Sequence, residues 1–70
     1  MKIIDLHGVR HKDVPDVIIN ACVTYDIPFV VITGVSVQMK EIVSSAAATS
    51  GLTVRDVFGN PGRVVLYENR

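Results

Sequence analysis

The chain has 70 residues, of which 49% are hydrophobic, and seven basic side chains balance seven acidic ones, so the net charge is zero. This length suits one domain, residues 1–70, near the lower limit at which a hydrophobic core stabilises a fold. Zero net charge counts against strong affinity for nucleic acid, because domains that bind it usually have a pI above about 9, although a local basic patch stays compatible with it.

The amino-terminal residues pass directly into an apolar segment, without a signal-peptide pattern or an apolar run of about 18 residues. We therefore expect a cytoplasmic protein with no membrane partner. Cys22 is the only cysteine, which excludes an internal disulfide and a cysteine-based zinc site. The high aliphatic content of so short a chain is compatible with a homodimer.

The first half of the chain predicts a strand, a helix and a second strand. Residues 2–6 form the first, aliphatic strand. Asp13 is expected to cap the helix, and residues 26–28, Asp-Ile-Pro, end it. The second strand, residues 29–32, is apolar throughout, which predicts that both of its faces are covered. The apolar positions of the helix recur at helical spacing and are expected to face the core: Val14, Val17, Ile18, Ala21, Cys22 and Tyr25.

The second half predicts a helix and two strands. The helix begins at Ser36 or the next residue, and Gly51 provides its left-handed stop. Residues 52–57 alternate polar and apolar side chains like a half-exposed strand, residues 58–63 have the composition of a turn, and residues 64–68 form the last strand. The inward positions of the helix are Met39, Ile42, Val43, Ala46 and Ala47.

The order β-α-β-α-β-β predicts an α/β fold, a two-layer α/β sandwich with a mixed four-stranded sheet. The first two strands are joined through a helix, so we expect them to be parallel with a right-handed crossover, and the last two to form an antiparallel hairpin. The loops at residues 5–10 and 33–36 should then face each other at one edge of the sheet. Ligands of open α/β sheets bind at this edge.

Asp5 and His7 are two residues apart on an extended segment, so their side chains point to the same face. Such a pair suits proton transfer, a metal or a phosphate contact; in the alternative, the carboxylate only accepts loop N–H groups while His7 is merely oriented. Histidine exchanges protons near neutral pH, which makes His7 a candidate general acid or base. Two ligands are fewer than the three protein groups of a catalytic zinc, so no metal or other cofactor is assigned.

Glycine and basic residues are further candidates. Gly34 lets the backbone approach a phosphate at the start of the second helix, or it simply forms a tight turn. His11 is expected to be solvated. Five basic side chains either form a phosphate-contacting rim or are scattered surface charges: Arg10, Lys12, Lys40, Arg55 and Arg63.

The segment IIDLHGVR, residues 3–10, closely resembles the LDLHG signature of the small MutS-related (Smr) domain family, and the order of elements over residues 2–67 matches that domain. The resemblance implies a fold similar to the C-terminal domain of a bacterial translation initiation factor. It also implies work on DNA or RNA, because Smr domains are associated with DNA-nicking and RNA-cleaving endonucleases, some acting on mRNA at stalled ribosomes. The matching positions assign catalysis to Asp5 and His7.

The second motif of the family, His-Gly-x-Gly, falls on Thr-Gly-Val-Ser at residues 33–36. Gly34 keeps the first glycine, whereas Thr33 replaces the imidazole and Ser36 replaces the next glycine. Lys40 lies roughly where the family often has a basic residue, and Arg63 lies in a segment where the family often has glycines and an arginine. The resemblance assigns nucleic-acid binding to Gly8, Arg10, Thr33, Gly34, Ser36, Lys40 and Arg63.

Two functions of different classes follow. The first is an Smr-type endonuclease, in which Asp5 and His7 cleave a phosphodiester while Arg10 and Lys40 hold phosphates. The second is a catalytically inactive module that binds nucleic acid, the ribosome or a protein partner, as the altered second motif and the zero net charge suggest. A basic cleft around His7 favours nucleic acid, whereas an acidic or apolar cleft favours a protein partner or an oligomer.

Overall fold

Four strands and two helices follow the predicted order in the computed structural model, which describes residues 1–68. The predicted two-layer α/β sandwich with a mixed four-stranded sheet is confirmed. A short 3₁₀ helix, His11–Asp13, precedes the first α-helix. The remaining elements are β1 (Ile3–Asp5), α1 (Val14–Thr24), β2 (Phe29–Ile32), α2 (Val37–Thr49), β3 (Leu52–Val57) and β4 (Asn60–Glu68).

The strands form one sheet in the order β1-β2-β4-β3. β1 runs parallel to β2, with Asp5 opposite Ile32, and β4 runs antiparallel to both β2 and β3. The predicted parallel pair and hairpin are therefore confirmed. Because β4 inserts between β2 and β3, the short β1 and β3 are the two edges of the sheet.

The core lies between one face of the sheet and both helices. The central strands supply Phe29, Val31, Val64 and Leu66, which are at most 1% exposed. They pack with the predicted inward positions of both helices except Tyr25, and three of these positions, Val17, Cys22 and Ile42, are only partly buried. Ser36 caps α2, as its Oγ accepts the Met39 N–H at 3.1 Å.

The prediction that both faces of β2 are covered is wrong. Val30 and Ile32 alternate with the two core residues of the strand, so they point away from the helices and remain partly exposed. Both helices pack side by side on the other face, and residues 1–68 contain no further helix or strand that covers this one. Neither helix among residues 1–68 combines the length and apolar character that a membrane span requires.

Two predictions at the ends of α1 also need correction. Asp13 occupies the N-cap position, but its side chain makes no capping hydrogen bond. The 3₁₀ helix leads directly into α1 and gives Asp13 helical dihedral angles, whereas a capping side chain usually belongs to an extended residue. Tyr25 follows the helix with an extended backbone and is 37% exposed, so it does not face the core.

The turn predicted over residues 58–63 is shorter. β4 already begins at Asn60, which leaves Phe58 and Gly59 as the two residues of the hairpin loop. Gly59 has a φ of +77°. A positive φ at the second loop residue suits glycine, and the pairing of β3 with β4 reaches Val57 opposite Asn60 after a register shift between Asp56 and Val57.

Candidate functional site at the carboxyl ends of β1 and β2

A cleft of about 460 Å³ opens between the loops that follow the two parallel strands. The two loops face each other across it, as the order of elements predicts. The Leu6 N–H donates to the Ile32 carbonyl at 3.1 Å and holds the two strand ends together. The cleft is lined by Asp5, Leu6, His7, Gly8, Val9, Ile32, Thr33, Gly34 and Met39.

The first loop is a tight turn built around Gly8. The Val9 N–H donates to the Leu6 carbonyl at 3.0 Å, and Gly8, the third residue of this turn, has a φ of +80°. A positive φ at that position alone is the requirement of a type II turn, and no other residue type among residues 1–68 has a positive φ. His7 is thereby fixed at the outer corner of the turn.

Asp5 holds this turn through the main chain of His7. The His7 N–H donates to Asp5 Oδ1 at 2.9 Å, and both residues are exposed. The carboxylate therefore has the structural role that the sequence left open as an alternative. The His7 ring remains exposed at the cleft, where a ligand can reach it.

The second loop is fastened to β4 by Thr33, Gly34 and Gly62. The N–H groups of Thr33 and Gly34 both donate to the Gly62 carbonyl, at 2.9 and 3.0 Å. The Thr33 hydroxyl donates to the Gly34 carbonyl at 2.8 Å, and the residue is only 7% exposed. Since the Gly34 N–H is already bonded, it is not available to a phosphate. Sequence reasoning missed Gly62, whose only signal was a glycine beside Pro61.

Four of the predicted binding residues lie outside the lining of the cleft. Ser36 caps α2. Lys40 Nζ lies 3.2 Å from Asp56 Oδ1, so this lysine forms an ion pair with a residue of β3. Arg63 is opposite Ile32 in the register of β2 and β4. Arg10 is exposed and precedes the 3₁₀ helix.

The cleft is not basic. Among residues 1–68 no Lys or Arg lines it, and Asp5 and His7 are its only ionisable side chains. Leu6, Val9 and Met39 give it an apolar floor. The described part of the chain also contains no group of three His, Cys, Asp or Glu side chains that could hold a metal ion.

Comparisons of the chain with protein-family models, curated proteins and solved structures find no match. The resemblance to Smr domains therefore depends on residues 3–10 and on the order of the elements. Of the residues that the resemblance assigns, Asp5, His7, Gly8, Thr33 and Gly34 come together at the cleft.

Proposed function

We propose that this protein is a small Smr-like nucleic-acid-binding protein, and that the cleft holds a phosphodiester of DNA or RNA beside His7. The supporting observation is that Asp5, His7 and Gly8 lie opposite Gly34 at the edge where α/β sheets bind ligands. A Cβ at Gly8 or Gly34 would meet no atom within 4 Å. A nucleic-acid backbone therefore has room to approach both loops.

The charge of the cleft limits how it binds phosphate. With no Lys or Arg in the lining among residues 1–68, the His7 ring is the one lining side chain that can present a positive charge. One phosphate contact on a single strand lowers the logarithm of the affinity by only about 0.7 per tenfold increase in salt. Binding through the cleft alone is therefore weak and depends little on salt.

If the protein is an enzyme, the proposed activity is that of an endonuclease, which cleaves the phosphodiester held in the cleft. His7 would accept a proton from the hydroxyl or water that attacks the phosphorus, a role that typically contributes 10²- to 10⁴-fold. As the new P–O bond forms, the P–O bond to the leaving oxygen breaks, and that oxygen takes a proton from the His7 imidazolium or from solvent. Asp5 acts as a positioning residue because it bonds the main chain of His7. Position 33 supplies no second imidazole, and the Thr33 hydroxyl is bonded within the loop. These features favour binding over rapid turnover.

Incubation of the purified protein with labelled single-stranded RNA and branched DNA tests both forms. We expect His7→Ala to abolish any cleavage, whereas His11→Ala removes an exposed imidazole that does not line the cleft and serves as the matched control. Turnover that persists in His7→Ala would remove the catalytic assignment. No binding of either nucleic acid by the unmodified protein would reject the nucleic-acid function.

The apolar floor of the cleft favours a second candidate, a catalytically inactive module that binds a protein partner or the ribosome. Leu6, Val9 and Met39 suit an apolar side chain of a partner, and among residues 1–68 Asp5 is the one carboxylate in the lining. Binding to a protein or to ribosomes that excess free RNA and DNA do not displace would favour this candidate. A cytoplasmic location, which remains part of the proposal, suits both functions.

A further inference from the structure

The face of the sheet opposite the helices carries an apolar surface with charged residues around it. Ile3 is 48% exposed, and the aliphatic side chains at the centre of this face are partly exposed. A contiguous exposed apolar surface marks an interaction site when it is extensive. Strand register and alternation place nine side chains on this surface, which we call the open face: Ile3, Asp5, Val30, Ile32, Thr53, Arg55, Arg63, Val65 and Tyr67.

The open face is locally positive although the chain as a whole is neutral. It carries Arg55 and Arg63 against one carboxylate, Asp5, whose Oδ1 already accepts a main-chain N–H. Alternation directs Asp56 and Glu68 of β3 and β4 to the opposite face. Asp56 is paired with Lys40 on that opposite face and does not offset the two guanidinium groups, and the charge of the open face suits a polyanion.

Arg55 and Tyr67 form a stacked pair on this face. The Arg55 Cζ lies 5.4 Å from the centroid of the Tyr67 ring, and the two residues belong to neighbouring strands. Unpaired bases stack on tyrosine rings and on guanidinium planes, and an open four-stranded sheet is a common platform for them. The pair thus offers a place for a base, and Arg63, four residues earlier on β4, offers a place for a phosphate.

The open face is continuous with the cleft. Asp5 and Ile32 belong to both surfaces, and Ile32 lies opposite Arg63. We propose that the open face binds single-stranded nucleic acid, with one base on the Arg55–Tyr67 pair and a phosphate on Arg63, while the same strand reaches His7. This inference rests on the proposed function and names its ligand. It also explains how a protein with a non-basic cleft holds nucleic acid.

Fluorescence anisotropy with a labelled, unstructured RNA of about 12 nucleotides tests the inference, since single-strand sites span roughly 4 to 16 nucleotides. Tyr67→Ala is expected to weaken binding about tenfold, and Tyr67→Phe is expected to retain the affinity. Tyr25→Ala is the matched control, because Lys2 Nζ lies 4.8 Å from the Tyr25 ring centroid but this pair lies off the open face. It should leave the affinity unchanged.

Arg63→Gln provides a readout that a purely structural role would not change. Loss of one phosphate contact should make the plot of log affinity against log salt shallower by about 0.7. The salt slope of Arg63→Gln also tests the open-face inference if Tyr67→Ala does not fold. An unchanged salt slope in Arg63→Gln, or equal competition by a duplex of the same sequence, would overturn the inference, because the bases of a duplex are already stacked.

His7→Ala separates the inference from the proposed function. If His7→Ala loses binding while folded Tyr67→Ala and Arg63→Gln bind normally, the cleft function stands and the open-face inference falls. If only the two open-face variants lose binding, the inference stands and the cleft function fails. A dimer of the unmodified protein that Tyr67→Ala converts to a monomer in sedimentation would assign the open face to a second copy and overturn the inference.

Discussion

The main-chain N–H of His7 donates a hydrogen bond of 2.9 Å to Oδ1 of Asp5. The two residues most suggestive of chemistry in the sequence are thus linked through the backbone of one and the side chain of the other. The contact fixes the corner of the first loop and leaves the His7 ring exposed at the cleft. Asp5 therefore positions the imidazole of His7 through the backbone of the loop.

Asp5→Ala is expected to loosen this loop with little loss of global stability. The bond is exposed, so water can replace the carboxylate, and we expect the free energy of unfolding to fall by only about 0.5 kcal/mol in a urea titration. Asp5→Asn should stay near the unmodified protein because its amide oxygen can accept the same N–H. In NMR spectra the amide resonance of His7 should move much more in Asp5→Ala; equal shifts in the two variants would contradict the assigned bond.

Gly8→Ala is expected to destabilise the protein through its backbone. A Cβ at Gly8 meets no atom, but the residue has a φ of +80°, which costs an L-residue roughly 1 kcal/mol or more. Gly62→Ala is the matched control, since its φ is not positive and its Cβ would lie 3.7 Å from its nearest neighbours, an ordinary contact. Thermal unfolding should show a clear fall in Tm for Gly8→Ala only. A similar fall for both would argue against strain as the cause.

Thr33→Val measures how much the buried Thr33 hydroxyl contributes to the free energy of unfolding. The substitution removes the donor to the Gly34 carbonyl at 2.8 Å in a residue that is 7% exposed, and we expect a loss of about 1–2 kcal/mol. Thr49→Val is the control, because the Thr49 hydroxyl donates to the Ser45 carbonyl at 3.1 Å at an exposed site. Urea denaturation compares the two. If Thr49→Val cost as much, burial would not be the reason for the effect.

Val31→Thr and Val30→Thr test which face of β2 is covered. Val31 is fully buried, so a hydroxyl there has no water and costs about 1–3 kcal/mol. Val30 points to the open face, where threonine suits an exposed strand and should change stability by well under 1 kcal/mol. The free energy of unfolding from urea titrations measures the difference. Equal losses would mean that a further layer covers both faces.

The secondary structure could be predicted well from the sequence because helical spacing and turn residues act locally. The start of α2 directly after Ser36 and the six residues of β3 follow from such signals. The failures came where neighbouring elements decide. Asp13 does not cap α1, because the 3₁₀ helix before it gives Asp13 helical dihedral angles. The apolar sequence of β2 did not indicate that one face of the strand stays uncovered.

The candidate site divides in the same way. The parallel strands predicted that the loops of His7 and Gly34 would meet, and they do. The partners of Lys40 and Thr33 could not be predicted, because Asp56 and Gly62 are distant in sequence. The packing of α2 against β3 brings Lys40 to Asp56, and the pairing of β2 with β4 brings Thr33 to Gly62. Basic residues that seemed to form one rim are thereby distributed over different surfaces.

By itself, the sequence determined the order of the helices and strands, the loops that contain Gly8 and Gly34, and the edge of the sheet at which Asp5 and His7 lie. These features depend on local conformational propensity and on the right-handed crossover between parallel strands. The tertiary structure alone decided the charge of each surface. Insertion of β4 between β2 and β3 turns Arg55 and Arg63 to the open face and leaves the cleft without a basic side chain among residues 1–68. Side-chain direction along a strand alternates, so a face acquires its charge only when the register is set.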